Sequence, residues 1–276
     1  EANDGTDIIT ATCSGAGHCG VETQTTTITL KLPENPDWVY NNEAKKFAFV
    51  DGSIDGVILP EIVYSGDCIN AGDYTASITL GGKTVSVPFT IEKATPTITP
   101  PRAKADLVYN GAEQALVEAG TTTGGTMMYS LIGGDAEGAW SETIPTRTAA
   151  GEYTVYYKVI GDENHSDSAE ASISVTIVKA PVTISVETQE RVYDGTNAVE
   201  IKSATVSGVV NSEEVTVNFG GVKATAKSAN VGTHEVDFDG DFVLEGETAD
   251  NYKITRFVQA TVVISKKTLT ITATNA

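Results

Sequence analysis

Apolar residues fall at every second position in three short stretches that close with similar lettering. They are Val87, Phe89 and Ile91 in "VSVPFTIEKA", Ile173, Val175 and Ile177 in "ISVTIVKA", and Ala260, Val262 and Ile264 in "ATVVISKK". That period is the signature of a strand with one buried face. Pro88 breaks the first stretch and predicts an edge position or a bulge there. Helical periodicity is nearly absent. "GAEQALVEAG" from Gly111 to Gly120 and "KATAKSAN" from Lys223 use good helix formers, but position within the repeated order predicts strand for the first and makes the second a similar temptation.

The closing stretches belong to a longer repeated order. Each is preceded by a tyrosine phrase, Val39-Tyr40-Asn41-Asn42, Val108-Tyr109-Asn110-Gly111 and Val192-Tyr193-Asp194-Gly195, and then by "NAGDYTASITL", "AAGEYTVYYKV" or "NVGTHEVDFDG". Three phrases recurring in one order point to an internal repeat. Aligning Lys179 with Lys266 also sets Asn164-His165 opposite Asn251-Tyr252. The first copy lacks that pair and turns instead at Gly81-Gly82, a short hairpin signal.

Asn-Gly and Asp-Gly supply the positive φ of a tight turn at little steric cost, and Asn tolerates it better than most residues. The three tyrosines are therefore expected as core or turn residues, not ligand contacts. Units of this length with many short strands and Gly, Asn and Asp turns predict an all-β protein of three tandem small antiparallel β-sandwich modules. The boundaries are 1–94 with an N-terminal hairpin, 95–180, 181–267, and 268–276 as the start of a further repeat. Pro96 and Pro181 stiffen the junctions, so an elongated arrangement and a monomeric rod are expected.

Composition changes this picture in one respect. A formal charge of −19 over 276 residues repels phosphate backbones and anionic lipid, which excludes nucleic acid and membrane surface as partners. No apolar run reaches the length needed to cross a bilayer, and the first 20 residues do not resemble an export signal. The chain reads as a soluble piece excised from a longer protein.

The third unit, with "VYDG" at its head and "LEGETADNYKI" before its last strand, resembles the YDG family of bacterial surface-protein repeats. The first two, with "VYNN" or "VYNG", "AGDYT" or "AGEYT", and "TIEKA" or "TIVKA", resemble the MBG-type Ig-like repeats. The resemblance covers Thr25 to Lys267. It implies Ig-like modules of a bacterial secreted or cell-surface protein, adhesin-like, in an extracellular setting. The pattern is departed from at His165, where tyrosine is expected, and at "GTHE", where "GxYT" is usual.

Candidate chemistry is sparse. "GAGHCG" from Gly15 to Gly20 spells a dinucleotide fingerprint, but it leads into a strand and not into the helix that such a fingerprint needs. A hairpin loop between "DIITATC" and "TTTITLKL" is the expected structure. Cys13 and Cys19 in that loop are candidates for a disulfide, with free thiols or a zinc site including His18 as alternatives; a structural zinc site lacks a nearby fourth ligand. Cys68 is left as an unpaired, partly buried turn residue. Asp237, Asp239 and Asp241 alternate as in a calcium loop, yet Phe242 and Thr248 stand where glycine and glutamate are required, so a solvent-facing strand is expected. Lys202, Lys253 and Asn251 are candidates for a Lys–Asn cross-link of the kind some bacterial Ig-like modules form, against surface lysines as the plainer reading. No hydrolase motif occurs. No catalytic residue, cofactor or metal ligand is assigned, and no enzyme is expected.

Two functions compete. One is a spacer that projects another domain from the surface. The other binds a host glycan or protein through exposed loops, with Trp140 in "GDAEGAWSETIP" as the candidate contact and packing beneath its own unit as the alternative. Accessory repeats of an extracellular enzyme are a third possibility.

Overall fold

The structure is a computed structural model and describes residues 8–12, 25–34, 36–53, 58–134 and 138–272. It is all-β; among those residues the helical content is two single 3-10 turns, Val210–Ser212 and Ala249–Asn251. The predicted closing strands are present as Lys83–Ile91, Ala171–Ile177 and Thr261–Ser265. Each pairs antiparallel with a strand that starts at a glycine of the middle phrase, and Gly72, Gly151 and Gly232 face Ile91, Ile177 and Ile264. Those three isoleucines are each 1% exposed. One face of the alternation is buried in all three segments.

The tyrosine phrases also fold alike. The backbone N–H groups of Tyr40, Tyr109 and Tyr193 donate to the carbonyls of Glu92, Val178 and Ser265, each at 2.9 Å. The Oδ1 of Asn41, Asn110 or Asp194 then accepts the N–H two residues on, at 3.1, 3.0 and 2.9 Å. The fourth residue takes the left-handed conformation, with φ of 64° at Asn42, 73° at Gly111 and 85° at Gly195. An Asx turn followed by a left-handed residue explains the spelling, Asn or Asp and then Gly or Asn.

The middle phrase repeats a third device. The hydroxyls of Tyr74 and Tyr153 donate to the carbonyls of Asn70 and Ala149, at 3.0 and 2.8 Å. His234 Nε2 lies 2.8 Å from the carbonyl of Asn230. A carbonyl only accepts, so Nε2 carries the proton and the imidazole closes the same loop as the tyrosines. The histidine in "GTHE" therefore leaves the local geometry unchanged.

Other expectations meet particular strands. Ile8–Thr12 and Thr25–Lys31 form an antiparallel pair, as the hairpin reading requires; the loop between them lies outside the described residues. Pro88 sits in Lys83–Ile91, at the edge of a three-stranded sheet with Gly72–Leu80 at its centre, where a missing N–H breaks no ladder. Gly81 and Gly82 turn that hairpin with φ of 56° and 76°. "GAEQALVEAG" holds two short strands, Gln114–Ala115 and Val117–Glu118, around Leu116, which is 0% exposed. "KATA" is the strand Lys223–Ala226 with Ala224 and Ala226 buried.

Among the described residues three apolar clusters form the cores, but their borders are not those of the three segments. One lies within residues 28–91. A second runs from Leu107 to Ile177, continues through Ala180, Val182 and Tyr252, and is lined by Val206, Val210 and Leu244. A third joins Ala224, Ala226, Val236, Ala260, Val262 and Ile264. The boundary near Ala180 is thus covered by shared apolar packing. The strand leaving it, Ala180–Thr188, runs between Ile201–Ser207 and Tyr252–Val258, antiparallel to the first and parallel to the second.

Candidate functional site

The most organised polar chemistry lies where one segment meets the next. At the first seam, Asn164 Oδ1 accepts the Ala71 N–H at 2.8 Å, and its Nδ2 donates to Asn70 Oδ1 at 3.0 Å. The His165 ring stands edge-on to Tyr40, with centroids 5.3 Å apart and planes at 80°. At the second seam, Asn251 Oδ1 accepts the Ala150 N–H at 2.8 Å. Tyr252 stands edge-on to Tyr109 at 5.4 Å and 82°. Ala71 and Ala150 are the middle residues of equivalent loops, and Tyr40 and Tyr109 of equivalent turns. One Asn–aromatic pair therefore covers one loop amide and one tyrosine ring at each seam.

Backbone pairing aims the asparagines. Ala94 bridges in parallel to His165, its N–H donating to the Asn164 carbonyl and its carbonyl accepting from the Ser166 N–H, both at 2.9 Å. Ala180 pairs in parallel with Tyr252 at the same point of the next segment. The strand that leaves one segment thus holds the pair against the loop it has just left. Lys93 Nζ adds a bond to the Asp162 carbonyl at 3.1 Å.

The second seam carries an extra element. Glu213, presented by the 3-10 turn Val210–Ser212, accepts the Tyr109 hydroxyl at 2.6 Å and the Tyr252 hydroxyl at 2.8 Å. The Val210 N–H donates to the Tyr252 oxygen at 3.1 Å. The bond to Glu213, with burial behind it, pushes the Tyr109 hydroxyl up to about 12. Hydroxyls of Thr248, Tyr109 and Tyr252, in that order, hold Glu213 below the ordinary carboxylate value. Charge-assisted bonds of this kind are short and about twice as strong as neutral ones. Gly111 belongs to the fit, because a Cβ there would come within 2.5 Å of Asn211 Nδ2. The equivalent position at the first seam is Asn42.

Other predicted positions stand apart from the seams. Trp140 is half-buried beneath its own loop: its indole N–H donates to the Gly134 carbonyl at 2.7 Å, and Lys158 Nζ covers its ring at 4.4 Å. Cys13, His18 and Cys19 lie outside the described residues. Cys68 is 0% exposed, deeper than expected, with φ of 59° and a thiol pushed up by burial. Asp237 and Asp239 lie on the exposed face of Gly232–Asp239. Among the described residues no group of His, Cys, Asp and Glu is placed to hold a metal ion. Lys202 and Lys253 are exposed, and Lys202 pairs with Glu187 at 3.4 Å, whereas a Lys–Asn cross-link needs a buried amine. Asn251 is engaged at the seam.

The sequence reading missed Glu213 and Lys45. Lys45 is 2% exposed, with its Nζ 3.5 Å from Asp37. Nothing in their local lettering distinguishes either from a surface charge. The Asn–aromatic pair was visible as a register match, without its partner loop.

Comparison with known families bears on the second seam. Residues 178–262 match the YDG domain. Glu213, Asn251 and Tyr252 all lie within the matched residues, so the groups that reach across this seam come from the stretch similar to the YDG domain. No curated protein matches the chain.

Proposed function

We propose that this chain is a stretch of non-enzymatic spacer: three tandem, Ig-like β-modules, two MBG-like and one YDG domain, locked end to end in an elongated, bacterial extracellular protein. The observation that carries this reading is the recurrence of the Asn–amide and aromatic edge contacts at both seams. A latch copied at each junction limits bending between modules, which is what a stalk requires of its joints. The absence of a hydrolase motif from the sequence fits this role, and the strongly negative charge keeps such a stalk soluble and away from anionic surfaces.

Binding of a host glycan or protein is the competing role. Trp140 argues against it, since its N–H is already bonded and its face is covered by Lys158. Small-angle scattering on the intact chain, with Asn164→Ala and Asn251→Ala together as the comparison, tests the spacer. The expected result is an extended particle that gains flexibility in the double variant. A compact particle refutes it. On a glycan array, a specific signal lost in Trp140→Ala would replace the spacer by a binder.

A further inference from the structure

Both occupied seams show what a module's far end is built to receive, and the third segment has the same surface uncovered. Tyr193 is 40% exposed, whereas Tyr109 is 5% exposed beneath Tyr252. Val231 stands where Ala71 and Ala150 stand; it is 44% exposed, and among the described residues nothing accepts from its amide. The supporting geometry is nevertheless complete. Asp194 makes its Asx turn, Gly195 takes the left-handed conformation, and His234 closes the loop on the Asn230 carbonyl. The chain passes this surface at Ser265, whose carbonyl takes the Tyr193 N–H at 2.9 Å, and four and six residues on, Leu269 and Ile271 are 85% and 93% exposed. In the register that sets Lys179 opposite Lys266, they match Val182 and Ile184, which are 1% and 0% exposed. An alternating apolar pair at that exposure is an opening strand without its sheet.

We propose that Tyr193, the Val231 amide and residues 269–271 form a docking surface for one further β-module. That module takes 269–271 as its opening strand and covers the surface with an Asn–aromatic pair of its own. Its asparagine Oδ1 accepts the Val231 N–H, its aromatic ring stands edge-on to Tyr193, and its sheet covers Leu269 and Ile271. A second copy of this chain does not fit, because Asn164 and Asn251 of any copy are already engaged within it. The inference rests on the tandem-module reading of the chain.

The test extends the full chain after Ala276 with a copy of residues 190–267, so that 267–276 stand where 180–189 stand in the third segment. Amide exchange is followed at Ala71, Ala150 and Val231. Docking is expected to slow exchange at Val231 by about tenfold or more, the size of one protected hydrogen bond, with the slowing lost when the appended asparagine is changed to alanine. A second extension, with residues 104–180 and its Asn–His pair, guards against an appended copy that does not order. Val231 exchanging in both extended chains as it does in the original overturns the docking surface. Fast exchange at Ala71 and Ala150 in the original chain would instead overturn the tandem lock itself.

Discussion

The two seams use the same asparagine and the same edge-on rings, yet they differ in what lies beneath. Under the first, His165 turns its Nδ1 to Asp162 at 2.7 Å, and no described carboxylate takes the Tyr40 hydroxyl. Under the second, Tyr252 keeps a hydroxyl, Glu213 ties it to Tyr109, and an apolar cluster continues from one segment into the next. A tyrosine offers both a ring and a donor, so a carboxylate can join two of them across a boundary. A histidine already committed to its own loop cannot do this. The first junction is a polar latch between separate cores, and the second is a latch set over a shared one.

The sharpest way to break this contrast is to remove the ring at each seam. Tyr252→Ala is expected to cost about 3–5 kcal/mol, the usual range for a buried aromatic truncated to alanine, and to lower the stability of both segments that share its cluster. His165→Ala should cost about 1 kcal/mol and leave residues 181–267 untouched. Denaturant unfolding followed by segment-resolved exchange reads both; equal losses would erase the distinction.

Alkali should come next in size. The Tyr109 hydroxyl holds its proton more tightly folded, at about 12, than unfolded, at 10.0. Its contribution is therefore complete below pH 10 and is lost as pH rises through 12. The second seam is expected to loosen over that interval, and Tyr109→Phe to remove the dependence. Glu213 runs the other way, since its folded value lies below the ordinary 4.5. Its contribution is present above that value and fades as pH falls through the lowered one.

Glu213→Gln keeps the shape and removes the charge, for an expected loss of about 1–2 kcal/mol at the second seam only. The same variant should bring the Tyr109 titration, followed by ultraviolet absorbance, back toward the ordinary tyrosine value. The smallest effects are expected from Asn164→Ala and Asn251→Ala, about 1 kcal/mol each, read by exchange at Ala71 and Ala150. An asparagine variant with no effect at its own amide would remove the latch from the account of that seam.

What was legible in the sequence was local. The Asx turn needs an Asn or Asp followed by a residue that tolerates positive φ, and both letters are in the phrase at 41–42, 110–111 and 194–195. Alternation in the closing strands marked the buried row, and Pro88 marked the edge. The remainder depends on residues brought together from far apart. Asn164 meets Ala71 across 93 positions, and Asn251 meets Ala150 across 101. Among the described residues no carboxylate takes the Tyr40 hydroxyl as Glu213 takes that of Tyr109, so no repeat pointed to Glu213. Tyr193 shows the limit of reasoning by analogy, because the same four-letter phrase leaves its ring exposed where no Asn–aromatic pair covers it.

The parallel pairing at the head of the second and third segments bears on how the chain responds to tension. A pull on the two ends draws the opening strand one way and its parallel neighbour the other, so the bonds between them are loaded in shear, all together. In the third segment that contact spans six residue pairs, from Ala180 with Tyr252 to Ser185 with Val258. In the second it is the single bridge between Ala94 and His165. Under stretch between its ends, the third segment is expected to outlast the second.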